Sequence, residues 1–310
     1  MKVSIIGGAG RVGSNAAFAL QLVGAVREVV LVDVMQEAAE GEALDLRHGA
    51  ALAGPRRFRA GGYGEVTGSD IVIITAGLRR KPDESRLELI GRNVSLFRSL
   101  LDEIKRIELA DSAILLVVAN PVDILTAIAV AESGFPPERV IGTGTLLDTT
   151  RFRSFLAEYF GVDPRHVNAL ILGEHGDSMV PIWSTAAVNG VPLASLPGYD
   201  EARVRQIFED TRKSGAEVIR LKGGAGYAIG VVIAELVNVI ARDAMAELPV
   251  STAPRGAYGI RDVCLSLPTV VGRAGVINVI EMKLWEEEKD KLLNSARVLR
   301  QTLDEVLAPK

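Results

Sequence analysis

Three groups of residues in the 310-residue chain have types and spacing that could do chemistry. The first is Gly8-Ala9-Gly10-Arg11-Val12-Gly13, a GxGxxG sequence directly after the short apolar run at residues 3–6. Glycines so placed permit a tight turn and let a pyrophosphate approach backbone amides at a helix N-terminus. A Gly-rich turn alone is common, but Asp33 follows Gly13 by 20 residues and ends the second apolar run. A carboxylate there can accept hydrogen bonds from adenosine ribose hydroxyls and repels a 2′-phosphate. No Arg or Lys stands at residues 34–37, so the combination predicts NAD rather than NADP. The second group is His175, flanked by glycines in Gly173-Glu174-His175-Gly176-Asp177. Glycines on both sides argue against a packed helix and for a tight loop that presents the ring. His48 and His166, the other two histidines, have no such setting and read as structural or surface residues. The third group is arginines with polar partners: residues 78–86 (LRRKPDESR), the strand-end sequence Asn120-Pro121-Val122-Asp123, and Asp148-Thr149-Thr150-Arg151.

The elements that position these residues change character along the chain. Residues 3–6, 29–32, 71–74 and 114–118 are compact apolar runs bounded by Gly, Asp or Asn, as suits strands buried on both faces of a parallel sheet. Helical spacing fills residues 12–23 and 94–107, and strand–helix alternation predicts βαβ units and a doubly wound sheet. Ligands bind such sheets beyond the carboxyl ends of the strands, where the Gly-rich turn, residues 78–86 and Asn120 all fall. The second half reads as helices at 148–160, 201–221, 227–241 and 285–307, a short apolar run at 167–172, and two strands within 257–271. Helix 227–241 is apolar almost all round and suits a core or a subunit interface. A boundary between domains is expected where Gly and Thr cluster, giving residues 1–143 and 144–310.

Composition narrows the function classes. Apolar residues make up 48% and charged residues 24%, which excludes global disorder. With 35 basic and 39 acidic residues the net charge is −4, so no basic excess drives nucleic-acid binding. Cys264 is the one cysteine, which excludes an internal disulfide and a multi-cysteine metal centre and fits a reducing cytoplasm; no metal is expected. The most apolar segment, 227–240, is interrupted by Glu235 and Asn238 and falls short of the ~20 residues of a membrane span. The run at 3–6 is too short for the apolar core of a signal peptide. A cytoplasmic protein without nucleic-acid or membrane partners is the expectation.

In order along nearly the whole chain, the sequences GAGRVG, LVD, TAG, RKP, SR, ANPVD, LDTTRFR, GEHGDSMVP and GIRDVCLSLP resemble the L-lactate/L-malate dehydrogenases, NAD-dependent 2-hydroxy-acid oxidoreductases. The resemblance implies an α/β fold: a Rossmann-type doubly wound parallel sheet followed by a mixed α/β substrate domain. It implies His175 as catalytic acid/base, Asp148 as its carboxylate partner, and Arg151 as the grip on the substrate's C1 carboxylate. Arg86 would polarise the reacting carbonyl, with Asn120 near that carbonyl and the nicotinamide. Gly8, Ala9, Gly10, Arg11, Val12, Gly13, Asp33, Asn93, Val118, Ala119 and Asn120 match cofactor contacts, and residues 78–92 match a lid that excludes water. A homotetramer or homodimer is implied as well. A catalytically dead NAD-binding protein would have lost His175, Asp148 or the arginines, which are present. A metal-assisted, NAD-dependent glycosidase on a related fold would need a longer chain and a cysteine–histidine pair after the asparagine motif.

Within that family the position of Arg80 separates substrates. Lactate enzymes typically carry glutamine there and malate enzymes arginine, because oxaloacetate brings a second carboxylate into a closed, dry site. A buried unpaired arginine over pyruvate would cost about 3–5 kcal/mol. Ala225 stands where lactate enzymes usually carry threonine and leaves space for a longer dicarboxylate substrate. These two positions point to a malate dehydrogenase, and with it to the tricarboxylic acid cycle, with L-lactate dehydrogenase as the alternative. On the other side, GEHGDSMVPIWS and LKGGAGYAIG look closer to lactate enzymes. Arg153 and Asn168 make only half of the arginine–histidine pair that holds a sugar bisphosphate activator in some bacterial lactate enzymes.

Overall fold

A computed structural model describes residues 1–79, 81 and 83–308; Arg80 lies outside the described residues. The first half runs β1 (Lys2–Ile6), α1 (Arg11–Val23), β2 (Glu28–Val32), α2 (Gln36–His48), the one-turn α3 (Ala50–Ala53), β3 (Arg57–Ala60), β4 (Ile71–Ile74), α4 (Arg86–Ile104), β5 (Ile114–Val117), α5 (Val122–Glu132) and β6 (Val140–Gly142). The strands pair in parallel in the order β3-β2-β1-β4-β5-β6. Period-two alternation assigns each strand's side chains to two layers. Val72 and Ile74 of β4 pack with α4 and α5, whereas Ile71 and Ile73 pack with α1 and α2. Both faces are therefore covered, which is why these strands read as continuous apolar runs.

The strand order reverses between β1 and β4, and a crevice opens there at the carboxyl ends. Backbone bonds lace the chain ends around it. Gly7 donates to the Val32 carbonyl at 2.8 Å, Thr75 to Ile6 at 2.9 Å, and Val118 to Ile74 at 3.0 Å. The turns after β1, β2, β4 and β5 are thus held side by side.

The second half runs α6 (Leu146–Phe160), β7 (Val167–Leu172), β8 (Val180–Val188), β9 (Val191–Pro192), α7 (Glu201–Lys222), α8 (Tyr227–Arg242), β10 (Ala246–Thr252), β11 (Leu265–Gly272), β12 (Gly275–Val279) and α9 (Glu286–Leu307). β10, β11 and β12 continue the first sheet beyond β6 in antiparallel fashion, to nine strands, while β7, β8 and β9 form a separate antiparallel sheet. The expected architecture, a doubly wound parallel sheet followed by an α/β second half, is the one observed. The apolar α8 buries Ile233, Leu236, Val237 and Ile240. It crosses α1 so closely that a Cβ at Gly230 would lie 2.7 Å from the Asn15 carbonyl oxygen. Tyr227 and Val231 on the same helix remain exposed. Among the described residues, no helix is long and apolar enough to cross a membrane.

Two expectations shift. α4 starts at Arg86, eight residues before the expected start, because Ser85 and Glu88 form a reciprocal capping box. Residues 257–271 hold one strand, β11, preceded by a tight turn at Ala257–Gly259; its neighbours β10 and β12 lie outside that segment.

Candidate active site

The turn after β1 is shaped by exclusion. Gly7 has φ +89°, and a Cβ at Gly8 would stand 2.7 Å from the Leu31 Cβ. A Cβ at Gly13 would stand 2.3 Å from the Gly7 carbonyl oxygen. α1 therefore seats its first turn directly against the backbone of the turn. No side chain caps that helix at Gly10 and its first turn holds no acid, so its leading amides and dipole suit a phosphate. Asp33 sits just past β2 and accepts from Ala9 N–H and Met35 N–H, each at 3.0 Å. Its carboxylate is fixed beside the Gly-rich turn, where a ribose would lie. This cradle fits a dinucleotide. Arg11 lies on the exposed side of α1 and Val12 packs inward. Val118 and Ala119 are buried past β5, and Asn120 accepts from Val122 N–H at 3.3 Å. Asn93 is buried on α4; it accepts from Leu78 N–H at 2.8 Å and donates to the Leu78 and Leu89 carbonyls. Its polar atoms clamp the segment after β4 to α4.

His175 follows β7 on a loop that needs its glycine. Gly173 has φ +86°, and a Cβ there would meet Ser295 Oγ at 2.6 Å. Gly173 and Ser266 exchange backbone bonds at 2.9 Å, which ties the loop to β11. The imidazole Nδ1 lies 2.5 Å from Asp148 Oδ2, and Arg151 donates to Asp148 Oδ1 at 3.1 Å. Asp148 and Arg151 stand one turn apart at the start of α6, so both reach one point. Asp148 is 1% exposed. Burial opposes its charge, but the His175 and Arg151 cations outweigh burial and hold the carboxyl below its ordinary range. Burial likewise pulls His175 down, but Asp148, through its charge and hydrogen bond, and then Asp123 hold it above its ordinary value. With Nδ1 engaged, Nε2 is the nitrogen left for proton exchange.

Arg86, the first residue of α4, reaches this loop from the other half. It donates to Asp177 at 3.3 Å and to Glu174 at 3.5 Å, and its side chain is two-thirds exposed. Residues 86–92 of the expected lid, 78–92, form the first turns of α4. Ala225 lies half-buried in the turn between α7 and α8 and packs against the layer that holds α1. Among the described residues no cluster of His, Cys, Asp or Glu could hold a metal ion.

Residues 1–142 match the lactate/malate dehydrogenase NAD binding domain, and residues 145–309 match the lactate/malate dehydrogenase alpha/beta C-terminal domain. The chain belongs to the lactate/malate dehydrogenase family. It is an NAD-dependent 2-hydroxy-acid oxidoreductase acting on a small molecule. It is 45% identical over 307 residues to an L-lactate dehydrogenase of Synechococcus sp. (strain JA-3-3Ab), covering 99% of each chain. It is also 45% identical over 310 residues to L-lactate dehydrogenase 1 of Clostridium acetobutylicum, covering 98% of each. Two solved structures superpose with TM-score 0.94 at 38% identity over 99% of each chain: the minor L-lactate dehydrogenase of Enterococcus mundtii in a ligands-bound form, and MGS-M5, a lactate dehydrogenase from a Medee basin deep-sea metagenome library.

These relatives overturn the expected malate dehydrogenase and its tricarboxylic acid cycle role, since they share the whole chain and are named lactate dehydrogenases. The expectation of a dicarboxylate substrate stood on Arg80 and Ala225. Arg80 lies outside the described residues. Ala225 is one small side chain in a turn, and vacant volume alone does not select a charged substrate.

The structure adds neighbours of His175 that carried no assignment from sequence. Asp123 accepts from the His175 backbone N–H at 2.7 Å. Glu174 is 8% exposed and accepts from both the backbone and the hydroxyl of Ser178. Both lie inside motifs, ANPVD and GEHGD; an acid adjacent to the histidine is a sequence signal for Glu174, whereas Asp123, 52 residues away, has none beyond its motif.

Proposed function

We propose that the chain interconverts pyruvate and (S)-lactate, with residues 1–143 serving the cofactor and residues 144–310 carrying most of the substrate site. The His175–Arg151 pair on the buried Asp148, with Arg86 bonded to Glu174 and Asp177 on either side of His175, carries this reading, and the names of the full-length relatives supply the substrate. NAD(H), held by Gly8–Gly13, Asp33 and the backbone at Val118–Asn120, supplies the hydride chemistry when bound. The protein's own residues do the rest. Arg151 presents guanidinium N–H groups that can bind a carboxylate in two-pronged fashion and so fix the keto acid's orientation. Asp148 holds the imidazole in one orientation and favours its protonated form. His175 Nε2 then gives a proton to the carbonyl oxygen in reduction and takes it back in oxidation. Arg86 stabilises the negative charge that develops on that oxygen, an effect worth a few kcal/mol in comparable sites. Asn120 lies at the cofactor end of the same crevice and orients the carbonyl.

A cytoplasmic location and a homotetramer or homodimer complete the proposal; the exposed apolar side chains Phe18 and Leu22 of α1 and Val231 of α8 support the oligomer. Steady-state oxidation of NADH with pyruvate, and with oxaloacetate as the contrast, tests the reading. Pyruvate should give the higher kcat/KM; no turnover with pyruvate at saturating NADH would refute it.

A further inference from the structure

We propose that Asp123 is a positioning residue for His175, fixing the catalytic loop through the His175 amide and biasing the imidazole toward its protonated form through its own negative charge. The proposal rests on His175 being the proton donor of the proposed reaction. Asp123 stands in the first turn of α5, in the cofactor half, and is 3% exposed. Its Oδ2 accepts from the backbone N–H of His175, 52 residues further on, at 2.7 Å. One carboxylate oxygen thus binds the loop across the two halves of the chain.

The charge calls for an explanation of its own. A neutral acceptor could hold the same amide without the penalty of burying an anion. Among the described residues, Asp123 Oδ1 and the Ser251 hydroxyl of β10 are buried without a well-formed hydrogen bond. Ser251 nonetheless lies close enough to favour the ionised carboxylate. Burial pushes the carboxyl up to about 6, with Glu174 adding to the rise and the His175 amide and charge opposing it. Asp123 is thus a costly anion retained beside a histidine whose proton affinity it raises. The other groups acting on His175 are Asp148 on α6, which also raises it, and Arg151 on α6, which lowers it. The thiol of Cys264, just before β11, is buried and pushed up in part by Asp123 itself. The α5 dipole also favours an acid at this position, which gives the rival account: a helix-end charge with no bearing on the imidazole.

Histidine NMR separates the two, since three histidines give three titrations and His175→Asn identifies the one of interest. Asp123→Asn keeps an acceptor for the amide and removes the charge. The His175 midpoint should fall by about half a unit to one unit, as expected for loss of one nearby buried charge. The alkaline limb of kcat/KM for pyruvate should move to lower pH with it, while the Kd for NADH stays within about twofold. An unmoved His175 midpoint, whatever the change in Tm, overturns the proposal. If the midpoint moves but the wild type does not reduce pyruvate, the coupling stands and the proposed reaction falls. Should Asp123→Asn fail to fold, the wild type decides: its His175 signal should show a second, smaller inflection near pH 6 as Asp123 takes up a proton, and a single inflection overturns the coupling.

Discussion

The two ends of the crevice are built on opposite principles. At the cofactor end the decisive atoms are missing ones. Gly7, Gly8 and Gly13 let backbone approach backbone, and the one acid, Asp33, is partly exposed and satisfied by two amides. At the substrate end the decisive atoms are charged and buried. Asp123, Asp148 and Glu174 are each under a tenth exposed and crowd around a single imidazole and two arginines. Added volume should therefore injure the first end and a change of charge the second, with each end largely indifferent to the other's injury.

The largest effect should come from removing the imidazole. His175→Asn should lower kcat for pyruvate reduction by roughly 10²–10⁴, the range for losing a general acid, with the Kd for NADH within about twofold of wild type. Fluorescence titration of NADH beside steady-state turnover measures both. Equal losses in NADH affinity and turnover would break the separation of the two ends.

At the other end, Gly13→Ala adds one methyl group 2.3 Å from the Gly7 carbonyl oxygen. Relief requires α1 to move away from the turn, and overpacking of this kind costs about 1–3 kcal/mol. NADH affinity should drop by roughly 5- to 150-fold for that energy, whereas kcat at saturating NADH should stay within about threefold. A fall in kcat with unchanged NADH affinity would show that the turn also positions the chemistry.

The same contrast governs what was legible in the sequence. The cofactor end is local: GxGxxG, the strand before it and Asp33 sit within one βαβ unit, so spacing alone finds them. The strand runs of the first half are legible because burial on both faces leaves them apolar except for Ser4, whose buried hydroxyl is paired with that of Ser69 at 2.7 Å. The substrate end is assembled from distant segments. Asp148 and His175 are 27 residues apart, and Asp123 and His175 are 52 apart, so their contacts follow from tertiary packing that no local period encodes. Family resemblance brought Asp148, Arg151 and Arg86 into view, but not Asp123 or Glu174. β10 was missed because Glu247 and Pro249 interrupt its apolar pattern, and α4 was shortened because its first two turns are polar outside Leu87, Leu89 and Ile90. Substrate choice was misread because two positions, Arg80 and Ala225, were weighed against the whole length of the chain.

The buried charges should also leave an imprint on stability. His175 has a folded-state value above 6.5, so the stabilisation it brings is complete below pH 6.5 and fades as pH rises through the folded value. Asp148 is depressed below 3.8, so its contribution is present above pH 3.8 and is lost as pH falls through the lower value. Asp123 runs with His175 and against Asp148 in its dependence on pH. Its rise from 3.8 to about 6 means that the folded state binds the extra proton, and stability declines as pH climbs across that window, by up to about 3 kcal/mol. Denaturant melts of wild type and Asp123→Asn at pH 4.5 and 7.5 should show the variant gaining roughly 1–3 kcal/mol relative to wild type at the higher pH, at the expense of turnover. No relative gain would mean that Asp123 is not a strained anion.

The smallest effect concerns the place where the two ends meet, the first turn of α4. Arg86 contacts Asp177 and Glu174 at 3.3 and 3.5 Å with its side chain largely exposed, and exposed pairs of this length bring under ~1 kcal/mol. They cannot fix the arginine unaided. Ser85 holds the backbone instead: its hydroxyl accepts from Glu88 N–H at 3.2 Å, and Glu88 accepts in return from Ser85 N–H at 2.8 Å. Ser85→Ala should cost about 1 kcal/mol of local helix stability and let the turn that carries Arg86 fray. Pyruvate kcat/KM should fall about fivefold, the equivalent of that energy, with NADH affinity unchanged, since Asn93 still clamps Leu78 two turns further along α4. Ser85→Asp, which restores an N-cap acceptor, should recover most of the loss. If NADH affinity falls together with pyruvate kcat/KM, the start of α4 belongs to the cofactor end, and the division between the two ends lies further along the helix.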